Sequence, residues 1–174
     1  MIRLLEETQT EFLELTAGLS AAQWSYQPGA GLWSVGEIAE HIVLAEGLLF
    51  ARMEAALASP PNPEWEAATA RKTEFIEQVL PERGRKARAP GPLVPRGQWT
   101  AEGTRARFQQ ARARTRQFTE QAVQPMKIHT AEHPFPIFGT LSAYQWLLYI
   151  PLHNLRHDRQ IVEVKAAAGY PGGA

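Results

Sequence analysis

The chain carries five histidines, His41, His129, His133, His153 and His157, and no cysteine. These are the side chains whose type and spacing could do chemistry. His153 and His157 stand four apart, so on a helix they project from one face, about one turn apart. At that spacing two imidazoles can reach one cation, with Zn–N bonds of about 2.0–2.1 Å. His41 lies two turns into a separate helix, flanked by Ile38 and Ala45, and so borders that helix's buried stripe. Three neutral imidazoles supplied by two helices would leave at least one coordination position open, the mark of a catalytic site rather than a structural one. A cation held there would favour ionisation of a bound water or a bound thiol. Without cysteine there is no disulfide, thiolate ligand or cysteine nucleophile, so a thiol would have to come from outside. The plainer alternative is that the H-x-x-x-H pair fills surface or core and that His41 is a hydrogen-bonded, partly buried imidazole. His129 and His133 are also four apart, but Pro134 and Pro136 argue against a helix there, and His133 reads as a structural loop residue.

The elements that must position these residues read as helices. Residues 2–17 place Leu5, Phe12, Leu15 and Leu19 at helical spacing, with Gly18 as the stop. Ser20 and Gln23 form a capping box for a short turn, and Pro28-Gly29-Ala30-Gly31 breaks the chain. The clearest start signal is Ser34 with Glu37, a second capping box, flanked by Trp33 and Ile38 as a hydrophobic staple. From there a helix runs to about Ala58, with Val35, Ile38, Ile42, Ala45 and Leu49 as its stripe, and Pro60, Pro61 and Pro63 end it. Residues 64–79 show poor helical periodicity, and residues 81–98, rich in Pro, Gly and basic residues, read as a long loop. A helix resumes over 100–123 with Phe108, Ala111, Thr115 and Phe118 on one face. Residues 124–139 are irregular. The last helix spans about Thr140 to Ala168, with Pro151 expected to kink it just before His153. There is no internal repeat and no convincing strand. Four principal helices with a long connection between the second and third predict an all-α four-helix bundle, a single domain over residues 1–170 with a frayed tail at 171–174.

Two elements carry a resemblance. Trp33-Ser34-Val35-Gly36-Glu37-Ile38-Ala39-Glu40-His41 is similar to the W-S-x-G-E-x-x-x-H element of the DinB-like metal-binding superfamily, which includes YfiT-like proteins. His133-Pro134, Phe138-Gly139, Gln145-Trp146 and the run from Pro151 to Ile161 resemble its C-terminal element. The two stand in the family's order and cover nearly the whole chain. The resemblance implies a four-helix bundle, often a homodimer, with a long crossover between helices 2 and 3. It implies a divalent metal ion, zinc or nickel, held by three histidines, carried over to His41, His153 and His157. Relatives of that kind include bacillithiol transferases, mycothiol-dependent maleylpyruvate isomerases and metal-dependent hydrolases, so the partner expected is a small-molecule substrate, including a low-molecular-weight thiol.

Composition sets the outer limits. With 174 residues, 44% hydrophobic and 21% charged, the chain can bury the core of one domain and is not disordered, collagen-like or a coiled-coil rod. No apolar run approaches the ~18 residues that cross a bilayer, and the N-terminus turns acidic at once, so no membrane partner and a cytoplasmic location are expected. Residues 1–66 hold ten acidic and two basic residues, while residues 67–174 hold eight acidic and sixteen basic. The arginines at 105, 107, 112, 114 and 116 therefore read as a solvated surface that pairs with the acidic first half. A whole-chain pI near 7.0 argues against nucleic-acid binding. Around the histidines, Glu37 is a candidate to orient a ligand, although capping is its more natural role. Asn154 and Asp158 neighbour the ligands in sequence but should point elsewhere, and Tyr144 and Gln145 could line a pocket. The function expected is a metal-dependent enzyme that activates a low-molecular-weight thiol (S-transferase type) or water (hydrolase type). The rival is a non-catalytic, stress-associated metal-binding protein.

Overall fold

Serine caps set the starts of three helices. In the computed structural model, which describes residues 1–84, 88–123 and 125–172, α1 (Ile2–Leu15) is followed by α2 (Ala21–Ser25) and α3 (Val35–Ala58). The Ser34 hydroxyl accepts from the Glu37 amide at 3.2 Å, and the Glu37 carboxylate accepts from the Ser34 amide at 2.8 Å. Ser20 and Gln23 repeat the arrangement at α2. Gly36 follows from this corner. A Cβ there would stand 2.5 Å from Nε1 of Trp24, so the indole of α2 packs into the space that a side chain would fill.

The stretch 64–79 forms two short helices, α4 (Trp65–Thr69) and α5 (Lys72–Val79), rather than one. Arg71 takes a left-handed conformation, φ 57°, and turns the chain between them. A 3-10 turn (Gly91–Leu93) sits in the long loop, and α6 (Ala101–Gln121) follows.

Two short strands correct the expectation of none. β1 (Thr130–Glu132) pairs antiparallel with β2 (Thr140–Ser142), Ala131 opposite Leu141. Three residues per strand are too few to show an alternating pattern in sequence. The second strand also shortens the last helix: α7 (Ala143–Lys165) starts behind a capping box of Ser142 and Gln145, three residues later than expected, and ends before Ala168. It passes through Pro151, which cannot donate to the carbonyl a turn behind it. The expected frayed tail is partly fastened, because Gln23 Nε2 donates to the Pro171 carbonyl at 3.1 Å; residues 173–174 lie outside the described residues.

The protein is mainly helical. α3 packs on α7 and α6, and α1 packs on the same two. Two apolar cores result. One gathers Leu5, Leu49, Phe50, Met53, Trp146 and Leu147; the other gathers Phe12, Ile38, Ile42, Phe108 and Ile161. Between them runs a polar waist in which each of the four helices contributes: Thr8, Glu46, Arg112 with Thr115, and Asn154 with Asp158, all buried. Arg112 is its hub. Its guanidinium donates to Glu46 at 3.1 Å from both Nε and Nη2, to the Leu5 carbonyl at 2.7 Å, to Thr8 at 2.8 Å and to Asn154 at 2.7 Å. This corrects the solvated reading of the arginine row at 112, which has 0% exposure. Arg116 fits the expected pairing with the acidic first half, meeting Glu6 at 2.8 Å.

Candidate metal centre

The α3–α7 contact brings His41 against His153 and His157 at the edge of the waist. The ring centroids stand 5.1 Å (His41–His153), 4.5 Å (His41–His157) and 4.4 Å (His153–His157) apart. One nitrogen from each ring lies within 4.8 Å of the others, and the three could hold a metal ion. Among the described residues they form the one such group of histidines and carboxylates.

The outward nitrogens are spoken for. His41 Nδ1 is 2.7 Å from the Leu93 carbonyl oxygen. A carbonyl only accepts, so Nδ1 carries the proton and Nε2 keeps its lone pair. His157 Nδ1 is 2.8 Å from Oε1 of Gln160. Burial, above all, holds all three rings below the ordinary imidazole pKa. At His153 the neighbouring His157 and His41 lower it further, at His157 His41 does so, and at His41 the Leu93 bond opposes the shift. At neutral pH the rings are uncharged, the form that donates a lone pair to a cation.

The loop that supplies Leu93 is held from the same helix. Glu40, buried beside His41 in sequence, accepts from the Arg96 amide at 3.0 Å and from the Gln98 amide and side chain at 3.3 and 3.2 Å. The 91–98 part of the expected long loop is thus clamped to α3; Arg85 and Lys86 of its basic stretch lie outside the described residues. Trp33, besides packing with the core around Ile38, brings its ring to 4.9 Å from His41. A cleft of about 210 Å³ opens between Leu32 and Trp33 on one side and Arg83, Gln160 and Glu163 on the other. It shares Gln160 and Trp33 with the surroundings of the imidazoles.

The other candidates fall elsewhere. Glu37 spends its carboxylate on the Ser34 amide and on Gln27, 2.9 Å away. Asn154 and Asp158 turn into the waist, as their one-residue offset from the ligands requires, and bond each other at 2.7 Å. Tyr144 and Gln145 line a different cleft, of about 280 Å³, with Trp65 and Thr73, and none of the three clustered histidines borders it. His129 donates to the Ser59 carbonyl at 2.7 Å. His133 stacks on Trp146, ring centroids 4.9 Å apart, and its Nδ1 accepts from the Phe135 amide at 3.0 Å, a structural place. Two supporting groups escaped the sequence reading. Leu93 acts through its backbone and leaves no signal. Gln160, one turn past His157 on the same helix, was open to the same spacing argument as the histidines. Among the described residues, no helix is long and apolar enough to cross a membrane.

Comparison with known proteins agrees with this picture. The uncharacterized protein YuaE of Bacillus subtilis (strain 168) is 24% identical over 164 residues, covering 93% of this chain and 95% of YuaE. No solved structure matches the chain. A match to the DinB superfamily runs over residues 4–161, from the start of α1 through both histidine-bearing helices. The chain therefore belongs to the DinB superfamily.

Proposed function

We propose that His41, His153 and His157 hold one divalent metal ion, zinc or nickel, and that the protein is a metal-dependent enzyme acting on a small molecule in the adjoining cleft. One observation carries this reading: three uncharged imidazoles, two buried and one half-buried, converge within 4.8 Å with no carboxylate in the group. A structural site would close its coordination shell with a fourth protein ligand, whereas three leave a position for substrate. The four long helices then make up the family's four-helix bundle, which we take to work as a homodimer.

When bound, the ion would supply a Lewis acid that favours ionisation of a thiol or a water at the open position. The protein's own part is to keep the imidazoles uncharged by burial, to fix two of them through Leu93 and Gln160, and to shield His41 from solvent with Trp33. A chain without cysteine must take its thiol from solution, which fits S-transfer from a low-molecular-weight thiol to an electrophile. Attack by water on a carbonyl, the hydrolase reading, uses the same position.

The test is metal content by plasma mass spectrometry on untagged protein, wild type beside His153→Ala. Near one equivalent in wild type, lost in the variant, is expected, followed by turnover in a screen of small thiols with electrophiles. No metal in either protein, and none taken up from added zinc or nickel, would overturn the proposal. Metal without turnover of any thiol, ester or amide would leave a binding protein.

A further inference from the structure

The outer side of His157 carries a chain of hydrogen bonds whose polarity is forced. Gln160 Oε1 lies 2.8 Å from His157 Nδ1 and 3.2 Å from Nη1 of Arg83. A guanidinium nitrogen can only donate. The Gln160 atom it meets must therefore be the amide oxygen, and an oxygen shared in this way can only accept from the ring. So His157 Nδ1 carries the proton, and its Nε2 keeps the lone pair that faces His41 and His153. Arg83 is itself fixed. Its Nε and Nη2 donate to the two oxygens of Glu163 at 3.1 and 2.8 Å, a two-point grip that sets the plane of the guanidinium. Without Arg83 the Gln160 amide could turn over and offer its NH2 to the ring. Nδ1 would then accept, the proton would move to Nε2, and the lone pair would point away from the other two imidazoles.

We propose that Gln160, locked by Arg83 and Glu163, is the positioning residue that sets the tautomer of His157 and so makes it a metal ligand. The proposal rests on the reading of the three histidines as a metal site. It also assigns a role to a segment far away in sequence, since Arg83 enters from the connection after α5 and reaches His157 through its bond to Gln160. Gln160 does with a neutral amide what a carboxylate does behind many metal-bound imidazoles. Both outer acceptors, Leu93 and Gln160, are uncharged, so a bound cation keeps its full charge.

The test compares zinc affinity, by chelator competition, with the ring tautomer of His157 in the metal-free protein, by nitrogen-15 NMR. In wild type Nδ1 should be the protonated nitrogen. Gln160→Leu should weaken zinc binding by ~10–100-fold and give a mixture of tautomers. Arg83→Met should weaken it in the same direction, and the double variant should be no weaker than Gln160→Leu alone, because both act through one bond. Gln160→Glu, which can only accept, should bind zinc at least as tightly as wild type, which a merely misfolding position would not allow. Unchanged affinity and tautomer in Gln160→Leu, additive losses in the double variant, or failure of Gln160→Glu to bind would each overturn the proposal. If wild type binds no zinc at all, the metal reading fails and takes this role with it, whatever the NMR shows. If wild type binds zinc and the variants match it, only this role fails.

Discussion

α7 carries two polar clusters, one residue out of step, and they are built on opposite plans. His153 and His157 join His41; Asn154 and Asp158 join Arg112 and Glu46. In the Arg112 cluster the bonds run inward, although Oδ1 of Asp158 is buried without a hydrogen-bond partner. Every guanidinium nitrogen has a protein acceptor, and Glu46 also accepts from Thr115 at 2.8 Å. In the imidazole cluster the bonds run outward, to Leu93 and Gln160, and the remaining nitrogens converge. A cluster whose bonds close on its own members joins helices. One that keeps lone pairs aimed at a common point is made for something else to bind. Burial alone does not separate the two, since His41 and His157 are nearly as inaccessible as the Arg112 cluster.

The comparison can be broken most forcefully at Arg112. Arg112→Met would leave Glu46 buried without its partner and should cost about 3–5 kcal/mol in urea unfolding. Zinc uptake by the protein that remains folded should be unchanged if the clusters are separate.

The two clusters should also respond oppositely to pH in metal-free protein. Burial, opposed by Arg112, pushes the Asp158 carboxyl up to about 8. The folded state then holds a proton that the unfolded chain has released, so stability falls as pH rises from the ordinary aspartate value, about 3.9, to about 8. The slope is at most about 1.4 kcal/mol per pH unit. The imidazoles are shifted down, so below about 6.5 the unfolded chain takes up protons that the folded one refuses, and stability falls as pH drops. Asp158→Asn should remove the fall in stability between about pH 6.5 and pH 8 and steepen the loss below 6.5, where the two slopes otherwise oppose each other, read from urea midpoints between pH 5 and pH 9.

A smaller effect is expected at Glu40. Glu40→Ala leaves the Arg96 and Gln98 amides without their acceptor, at about 1–3 kcal/mol for a buried group left unpaired. Trypsin should then cut faster at Arg88 and Arg96, and zinc binding should weaken because the Leu93 carbonyl is no longer held. The smallest effect should come from the triad itself. His153→Ala in the presence of a chelator should change stability by no more than about 1 kcal/mol, because the ring is only partly buried and no fold-bracing bond is lost. The same variant should abolish the zinc-dependent rise in stability, about 2.7 kcal/mol at a hundredfold excess over Kd, expected of wild type.

Local signals in the sequence marked most of what the helices do. Ser34 with Glu37 located α3, and the four-residue spacing of His153 and His157 placed them on one face. Ser142 with Gln145 carried the same capping signal, and reading it would have set the start of α7. Arg112 was out of reach because its meaning depends on Glu46, 66 positions away, and on a helix whose other arginines are surface residues. The hairpin was too short to show a period. Leu93 acts through a carbonyl, which every residue possesses. Pairwise, long-range and backbone-borne features are those that a single chain of letters does not display.

The one-residue offset on α7 restricts how this helix can change over evolutionary time. Inserting or deleting a single residue between Trp146 and Ile161 would rotate everything beyond it by about 100°. Deletion ahead of His153 would turn Asn154 and Asp158 toward His41 and carry the imidazoles onto the places of Leu152 and Arg156, away from Arg112. Both clusters would fail together, one by losing its ligands and the other by stranding a buried ion pair. Length variation among relatives should therefore be absent from this stretch and collect in the connection between α3 and α6, where only the anchored ends, Arg83 and 91–98, must stay in place.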